Sequence, residues 1–352
     1  MSKSQSRTAT TAASPKSEKQ QQHGVTVTLT TSSPPYTPPK TGFLSLLPSS
    51  WVPYAQLMRL DRPAGLYAFY TPYLMGMAYA ACISEQFIRP GRLAQDAVVY
   101  LVWCIILRGA TCTWNDNIDQ DFDRKVVRCR NRPIARGAVS TLQGHVFTLA
   151  QMVVGAVFAD YFFPGRECAV DIAVMMALYA LYPFGKRFTN YPQFILGFPF
   201  SAGIIMPCHA YGVNPFSTTQ FTSATVSLCV ANILWTMIYD TIYAHQDLKD
   251  DLKAGVKSMA VRFQHSTKLM CSVLAVGQVG LLIHAGTVLG LSAGYYLVAV
   301  AGTAASLVAM IGLVDLMEPS SCAWWFRTDF WLVGGSISAG LFADYAVKRM
   351  LV

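Results

Sequence analysis

Residues 269–314 decide the fold class, and they read LMCSVLAVGQVGLLIHAGTVLGLSAGYYLVAVAGTAASLVAMIGLV. These 46 residues contain no Asp, Glu, Lys or Arg. A helix needs about 20 apolar residues to cross the hydrocarbon core of a bilayer, so this run is too long for one crossing and long enough for two. We therefore divide it near Gly290 and expect one membrane-spanning helix on either side.

The rest of the chain has a similar composition. Of its 352 residues, 53% are hydrophobic and only 13% are charged, whereas soluble domains carry about 25% charged residues. This composition excludes a disordered protein and argues against a soluble enzyme. We predict an all-α, multi-pass membrane protein with about nine transmembrane helices. The expected spans lie near residues 66–83, 94–113, 141–163, 167–184, 193–212, 220–240, 269–290, 292–314 and 330–347.

The first fifty residues differ from the body of the chain. Residues 1–50 are rich in Ser, Thr, Gln and Pro, and we expect them to form a disordered polar tail before a transmembrane domain at 51–352. Up to Lys40 there are five basic residues and one acid, which raises the alternative of a mitochondrial presequence. A single Arg, three consecutive Gln residues and the pair Pro34-Pro35 argue against the amphipathic helix that a presequence needs.

Basic residues are distributed unevenly between the two membrane faces. Numbering the nine helices places the N-terminus and the loops after even-numbered helices on one face, which carries 22 of the 27 Lys and Arg residues. The opposite face carries Arg89, Arg92, Arg166, Lys348 and Arg349. Because cytoplasmic loops are enriched in Lys and Arg, we expect the first face to be cytoplasmic, or matrix-facing if the protein lies in a mitochondrion.

Two groups of acidic residues lie on this same basic face. The first occupies the stretch NDNIDQDFD at 115–123, at the end of the second span. The second follows the sixth span and comprises Asp247, Asp250 and Asp251, preceded by Asp240. Helix parity alone therefore predicts that two segments far apart in the chain lie on the same membrane face.

The spacing within each group places its side chains together. Asn115, Asp119 and Asp123 are four residues apart, as are Asp247 and Asp251, so each set projects from one face of a helix. Repulsion between the carboxylates favours a bound cation, and such hard oxygen ligands suit Mg²⁺, which often shares itself with a substrate phosphate. The many Arg and Lys residues on this face also suit a phosphate. We therefore expect Mg²⁺ and a diphosphate between the two groups.

Residues outside the acidic groups have plainer interpretations. Trp324 and Trp325 lie at a predicted membrane boundary, where such rings anchor helices in the interface. His209 lies within a span and needs no role beyond a hydrogen bond, and Asp171 falls on the face opposite the acidic groups. We do not expect these four residues to take part in chemistry.

Several motifs together resemble the UbiA family of intramembrane prenyltransferases, from about residue 54 to the C-terminus. The segments that carry the resemblance are LMRLDRP at 57–63, RGA at 108–110, NDNIDQDFD at 115–123, RNRPI at 130–134, YPFGKR at 182–187, YDTIYAHQDLKDD at 239–251 and GVKS at 255–258. The resemblance implies nine helices around a central cavity. It also implies that the two acidic motifs bind Mg²⁺ and an isoprenoid diphosphate above that cavity.

The resemblance implies roles for individual residues as well. The expected catalytic residues are Asp119, Asp123, Asp247, Asp251 and Lys186. The expected Mg²⁺-binding residues are Asn115, Asp116, Asp119, Asp123, Asp240, Asp247 and Asp251. The expected substrate contacts are Arg59, Arg108, Lys186, Tyr239 and Lys257.

The activity that the resemblance implies is Mg²⁺-dependent transfer of a prenyl group from an isoprenoid diphosphate to a ring carbon of a phenolic acid. Arg128-Cys129-Arg130 and Lys257-Ser258-Met259 depart from the pattern of 4-hydroxybenzoate polyprenyltransferases. These departures favour the branch of fungal meroterpenoid biosynthesis, with a farnesyl donor and a polyketide-derived acceptor. That branch implies the endoplasmic reticulum or another endomembrane, with the N-terminus and the active site in the cytosol. No nucleic-acid partner is expected.

Two alternatives stay open at this point. One is a 4-hydroxybenzoate polyprenyltransferase of ubiquinone biosynthesis in the mitochondrial inner membrane. The other is a cation-coupled membrane transporter. Transport sites usually lie near the bilayer midplane, whereas the acids here gather at one rim, which disfavours the transporter.

Overall fold

The computed structural model describes residues 36–350, with side chains up to Lys348. The predicted disordered tail falls mostly on residues 1–35, which lie outside the described residues. Residues 36–50 contain one short 3-10 helix, Phe43–Leu46, and Val52–Leu57 forms the first α-helical turns. Within the described residues all regular structure is helical.

Nine long helices make up the body of the protein within the described residues. They are α1 Ala64–Ile83, α2 Pro90–Ile118, α3 Thr141–Phe162, α4 Arg166–Phe188, α5 Pro192–Ala210, α6 Thr219–Ala244, α7 Thr267–Leu289, α8 Ala293–Leu313 and α9 Pro319–Lys348. Two of them contain a π-helical turn, Tyr296–Ala301 in α8 and Phe330–Gly334 in α9. Short helices follow α2 at Gln120–Asp123 and α6 at Leu248–Ala254.

The predicted all-helical, multi-pass architecture is confirmed. Eight of the nine long helices in the described part are long and apolar enough to cross a membrane. The remaining helix, α1, has 20 residues, and its four Tyr residues, together with Thr71 and Pro72, lower its hydropathy. The protein is therefore an integral membrane protein with close to the nine expected spans.

Capping residues explain where several helices begin and end. Ser140 and Gln143 form a capping box at the start of α3. Gly290 ends α7 in the left-handed conformation, with φ of 61°, which suits a residue without a Cβ atom. This turn lies where we divided the apolar run. At α9, Glu318 accepts a hydrogen bond from the backbone N–H of Ser320, and Pro319 takes the first helical position.

Glycines allow helices α1, α5 and α6 to approach one another closely. A Cβ atom at Gly76 of α1 would lie 2.6 Å from the carbonyl oxygen of Ile204 in α5. A Cβ atom at Gly197 of α5 would lie 2.9 Å from the Cα atom of Ile233 in α6. Small residues are typical of crossings between membrane helices. Lipid tails are as apolar as the side chains, so association of the helices depends on close van der Waals packing of their backbones. Helix α5 is therefore packed tightly between α1 and α6.

Candidate active site

The segments that follow α2 and α6 are joined by hydrogen bonds. The Arg128 Nε atom donates to Asp247, at 2.9 Å from Oδ1 and 3.0 Å from Oδ2. The backbone N–H of Val127 donates to Asp250 Oδ2 at 2.9 Å. The two acidic segments are therefore neighbours at one rim of the helix bundle, although more than a hundred residues separate them.

Two arginines hold the buried acids of the first segment. Arg59 lies 2.5 Å from Asp116, and Arg132 lies 3.1 Å from Asp116 and 2.9 Å from Asp123. Asp116 and Asp123 are both buried. Burial raises the pKa of Asp123 to about 6, Arg132 opposes this rise, and the neighbouring charge of Asp116 adds to it. The protonation of Asp123 thus depends on the charges of both Arg132 and Asp116.

Lys186 at the end of α4 reaches a third acid of the first segment. Its Nζ atom donates to Asp119 Oδ2 at 2.6 Å, and the side chain of Asp119 is only 1% exposed. The backbone carbonyl of Lys186 accepts a hydrogen bond from the N–H of Lys257 at 3.1 Å. The side chain of Lys257 itself is exposed, and it is not among the residues that line the cavity described below.

The second acidic segment lies closer to the surface. Asp247, Asp250 and Asp251 are half-buried, and Asp240 near the end of α6 lines the cavity. The guanidinium of Arg128 also lies over the ring of Tyr243, 5.1 Å from its centroid. The last turns of α6 thus carry both an acid, Asp240, and an aromatic ring, Tyr243.

A cavity of about 640 Å³ extends from this rim between the helices. Its lining residues come from α1, α2, α4, α5, α6 and α9 and from the connecting segments. Asn115, Arg59, Arg128 and Arg132 line the part next to the acids. The cavity therefore places the acidic segments and the interior of the bundle in one continuous space.

Aromatic side chains form much of the cavity wall. Phe69 stacks on Tyr179 with ring centroids 5.4 Å apart and meets Phe200 edge-on at 5.0 Å. Tyr239 packs against Phe326 at 5.8 Å. All five residues line the cavity. The hydroxyl of Tyr239 donates to Thr236 at 3.3 Å, so its ring is held by α6 itself.

Arg108 supports the turn that carries Arg59. Its guanidinium donates to the carbonyl oxygens of Arg59 at 3.1 Å and Arg62 at 2.6 Å. Arg59 has a φ of 58°, which is uncommon for a residue with a side chain. Arg108 lines the cavity but is only 7% exposed, so its main contacts are with this turn.

The family model of the UbiA prenyltransferase family matches residues 69–334. The chain belongs to this family. Prenyltransferase ascA of Acremonium egyptiacum is 43% identical over 79% of this chain and 82% of its own length. DMOA farnesyltransferase nvfB of Aspergillus novofumigatus is 34% identical over 87% of this chain and 95% of its own.

A solved structure has the same fold. The UbiA homologue from Archaeoglobus fulgidus, bound to GPP and Mg²⁺, aligns with a TM-score of 0.62 over 84% of this chain and 99% of its own. Its sequence is 17% identical, so the likeness concerns the arrangement of the helices. With this family membership, the protein is a prenyltransferase with the UbiA fold.

The acids of this UbiA protein retain free oxygen atoms. Asp116 Oδ2 and Asp119 Oδ1 are buried and have no hydrogen-bond partner in the described structure. Within residues 36–348, no three His, Cys, Asp or Glu side chains group closely enough to hold an ion by themselves. Mg²⁺ usually takes one or two carboxylates, keeps waters and binds substrate phosphates. The donor set at this rim therefore fits an ion that is shared with a diphosphate.

Three residues of the site were not among the sequence-based site predictions. Arg128 and Arg132 hold acids from both segments, and Tyr243 packs beside Arg128. The signal for Arg132 was its place in the RNRPI motif. Outside the site, Asp171 pairs with His209 at 2.7 Å, and neither lines the cavity.

Proposed function

We propose that this protein is a Mg²⁺-dependent aromatic prenyltransferase of meroterpenoid biosynthesis, a secondary-metabolite pathway. It transfers a prenyl group, with farnesyl favoured, from an isoprenoid diphosphate to a ring carbon of a polyketide-derived phenolic acid. The observation that carries the proposal is the cavity, which has joined acidic segments at its rim and aromatic walls inside. The name of the relative nvfB, a DMOA farnesyltransferase, supports the choice of donor and of an aromatic acceptor.

Cations at the rim would bind the diphosphate. Arg59, Arg128 and Lys186 each lie beside a carboxylate and two of them line the cavity. Arg can donate two hydrogen bonds to one phosphate group, and Lys supplies a compact positive charge. As the diphosphate leaves, these donors stabilise the negative charge that develops on it.

Residues on both segments would hold Mg²⁺ ions, each through one or two carboxylates together with waters and the diphosphate. Asn115, Asp119 and Asp123 would act from the first segment, and Asp247 and Asp251 from the second. Asp116 and Asp240 would support these two groups. A bound Mg²⁺ supplies charge neutralisation and Lewis-acid activation of the leaving diphosphate.

The transfer itself breaks one bond and forms another. The bond between the first prenyl carbon and the diphosphate oxygen breaks, and both electrons leave with the diphosphate. The resulting allylic cation is stabilised by the faces of nearby rings, such as Tyr239 and Phe69. A ring carbon of the acceptor attacks this cation with a pair of ring π electrons. The proton on that carbon then passes to the released diphosphate, which restores the aromatic ring. The apolar walls keep water from capturing the cation first.

Two observations weigh against the alternatives. The acids lie at the rim beside the ends of α2 and α6, where a transporter with a midplane site would not place them. The match to ascA and nvfB favours the secondary-metabolite branch over ubiquinone biosynthesis. We place the protein in the endoplasmic reticulum or another endomembrane, with its N-terminus and acidic rim in the cytosol. Fractionation with the mitochondrial inner membrane would contradict this location.

A direct assay tests the activity. Membranes that contain the protein are incubated with Mg²⁺, a phenolic acid, and geranyl, farnesyl or geranylgeranyl diphosphate, and products are analysed by mass spectrometry. We expect a farnesylated phenolic acid that disappears when the metal is chelated. Donors that all remain intact would contradict the proposal and favour transport.

A further inference from the structure

One face of the first turns of α9 lies along the cavity. Ser320, Ala323, Trp324 and Arg327 all line it. Their offsets of three, four and seven residues place them on one side of a helix. Trp324 is 47% exposed, so its indole is accessible instead of being packed into the core. This face offers an aromatic ring and a guanidinium group to a ligand in the cavity.

Arg327 is exposed, and it differs from the other cations of the site because its side chain has no partner within the part of the chain that the structure describes. Arg59, Arg128 and Lys186 each bind a carboxylate. Arg108 donates to two backbone carbonyls. Within residues 36–348, Arg327 makes neither a hydrogen bond nor an ion pair. Its guanidinium is therefore available to an anion that comes from outside the protein.

A chain of contacts relates the first turns of α9 to the acidic rim. Arg128, which binds Asp247, lies over the ring of Tyr243. Tyr243 in turn packs against Phe326, with ring centroids 4.1 Å apart. Arg327 is the next residue along α9. These contacts therefore hold the first turns of α9 beside the position that we assign to the diphosphate.

We infer that Arg327 binds the carboxylate of the aromatic acid acceptor and that Trp324 packs against its ring. This inference rests on the proposed function. The fork of an Arg side chain matches the two oxygens of a carboxylate, and an indole presents a large flat surface to a second ring. The cations at the acidic rim serve the donor, so the unpaired guanidinium serves the other anionic substrate.

The test compares acceptors with and without the carboxyl group. Steady-state kinetics are measured in membranes with farnesyl diphosphate and either a phenolic acid or the same phenol lacking its carboxyl group. For Arg327→Gln we expect the KM of the acid to rise about 10- to 100-fold, because a charge-assisted contact is lost. Three other constants should stay within about twofold of wild type: the KM of the decarboxylated phenol, the KM of the donor, and kcat. The reason is that the lost contact binds the carboxylate equally in the ground state and in the transition state.

Two further variants sharpen the test. Trp324→Leu should raise the KM of both acceptors, because it removes a contact to the ring that they share. Arg262→Gln is the matched control, since Arg262 is exposed and is not among the cavity-lining residues. It should leave every constant unchanged. Turnover of the decarboxylated phenol by Arg327→Gln also shows that this variant is folded.

The outcomes separate this inference from the proposed function. If Arg327→Gln changes neither acceptor's KM, Arg327 is a surface cation that contacts lipid headgroups, and the inference is wrong. If it raises the KM of both acceptors equally, or that of the donor, the carboxylate is not its ligand. If wild-type protein prenylates neither acceptor with any donor, the proposed function itself fails.

Discussion

We expect Arg132→Met to lower the melting temperature of the protein much more than Arg187→Met does. Arg132 lies 3.1 Å from Asp116 and 2.9 Å from Asp123, and these three side chains are 15%, 0% and 8% exposed. Arg187 lies 2.8 Å from Asp121, but this pair is 37% and 51% exposed. The two arginines thus make ion pairs of similar length in different surroundings.

The difference in surroundings determines the size of the effect. Removal of one partner from a buried ion pair leaves an uncompensated charge and costs about 3–5 kcal/mol. Loss of an exposed pair costs about 0–1 kcal/mol. Because Arg59 also binds Asp116, we expect the lower end of the first range. At roughly 2 °C per kcal/mol for a large chain, Tm should fall by about 6 °C in Arg132→Met and by about 2 °C or less in Arg187→Met.

The effect should also depend on pH. Burial raises the pKa of Asp123 to about 6, and Arg132 opposes the rise, so the pKa rises further without Arg132. A carboxyl whose pKa is raised by folding favours the folded state at low pH, and this contribution is lost as the pH rises through that pKa. The Tm deficit of Arg132→Met should therefore be smaller at pH 5 than at pH 8.

The assay is thermal unfolding of the purified protein in one detergent, followed by tryptophan fluorescence. Wild type, Arg132→Met and Arg187→Met are compared at pH 5 and pH 8, at the same protein concentration. Equal Tm losses in the two variants would refute the reasoning that buried charges at Asp116 and Asp123 depend on Arg132. A deficit of the same size at both pH values would refute the assignment to a carboxyl that titrates between them.

Three further predictions concern the metal site, helix packing and a buried acid. Asp119→Asn should lower kcat by about 100- to 1000-fold while the protein remains in the membrane. Wild-type turnover should stop with a chelator and return with Mg²⁺. A variant with wild-type activity would contradict the assignment of Asp119 as a ligand. Gly76→Ala should lower the free energy of unfolding by about 1–3 kcal/mol, because its Cβ would meet a carbonyl oxygen of α5. Gly280→Ala should leave the stability unchanged, because its Cβ meets no described atom within 4 Å. Equal Tm values for the two variants would contradict the close crossing. Asp329→Leu should lower the free energy of unfolding by about 1–3 kcal/mol more than Asp329→Asn does. The reason is that only Asn can still accept the hydrogen bond that Trp235 donates at 2.5 Å. Coinciding unfolding curves of the two variants would show that this hydrogen bond does not stabilise the protein.

The positions of the helices followed from the sequence because a bilayer core tolerates little besides apolar side chains. The long apolar run divides at Gly290, where the chain turns in the left-handed conformation. Helix α9 begins at Pro319, whereas hydropathy predicts a start near residue 330. Its first turns contain Ser320, Arg327 and Asp329, which lower the hydropathy of any window that includes them. Polar residues that face a cavity lower the mean hydropathy, so a hydropathy window misses that part of the membrane helix.

The meeting of the acidic segments could be predicted, but their pairing with cations could not. Helix parity puts both segments on one face, and a spacing of four residues aligns the acids within each. Arg128 and Arg132 lie in the connection after α2, which has no periodic pattern to show where its side chains point. The sequence predicts Trp324 to be an interfacial anchor, and only the packing of α9 shows that it lines the cavity.

The π-helical turn Phe330–Gly334 divides α9 into two parts. A π turn adds one residue to the helix, and each residue of an α-helix corresponds to about 100° of rotation. Deleting one residue there would swing Trp324 and Arg327 out of the cavity while the C-terminal half kept its packing. Loss or gain of a single codon at this point would therefore change which side chains contact the incoming aromatic acceptor. An evolving lineage could in this way change its natural product while the ionisation of the diphosphate stayed intact.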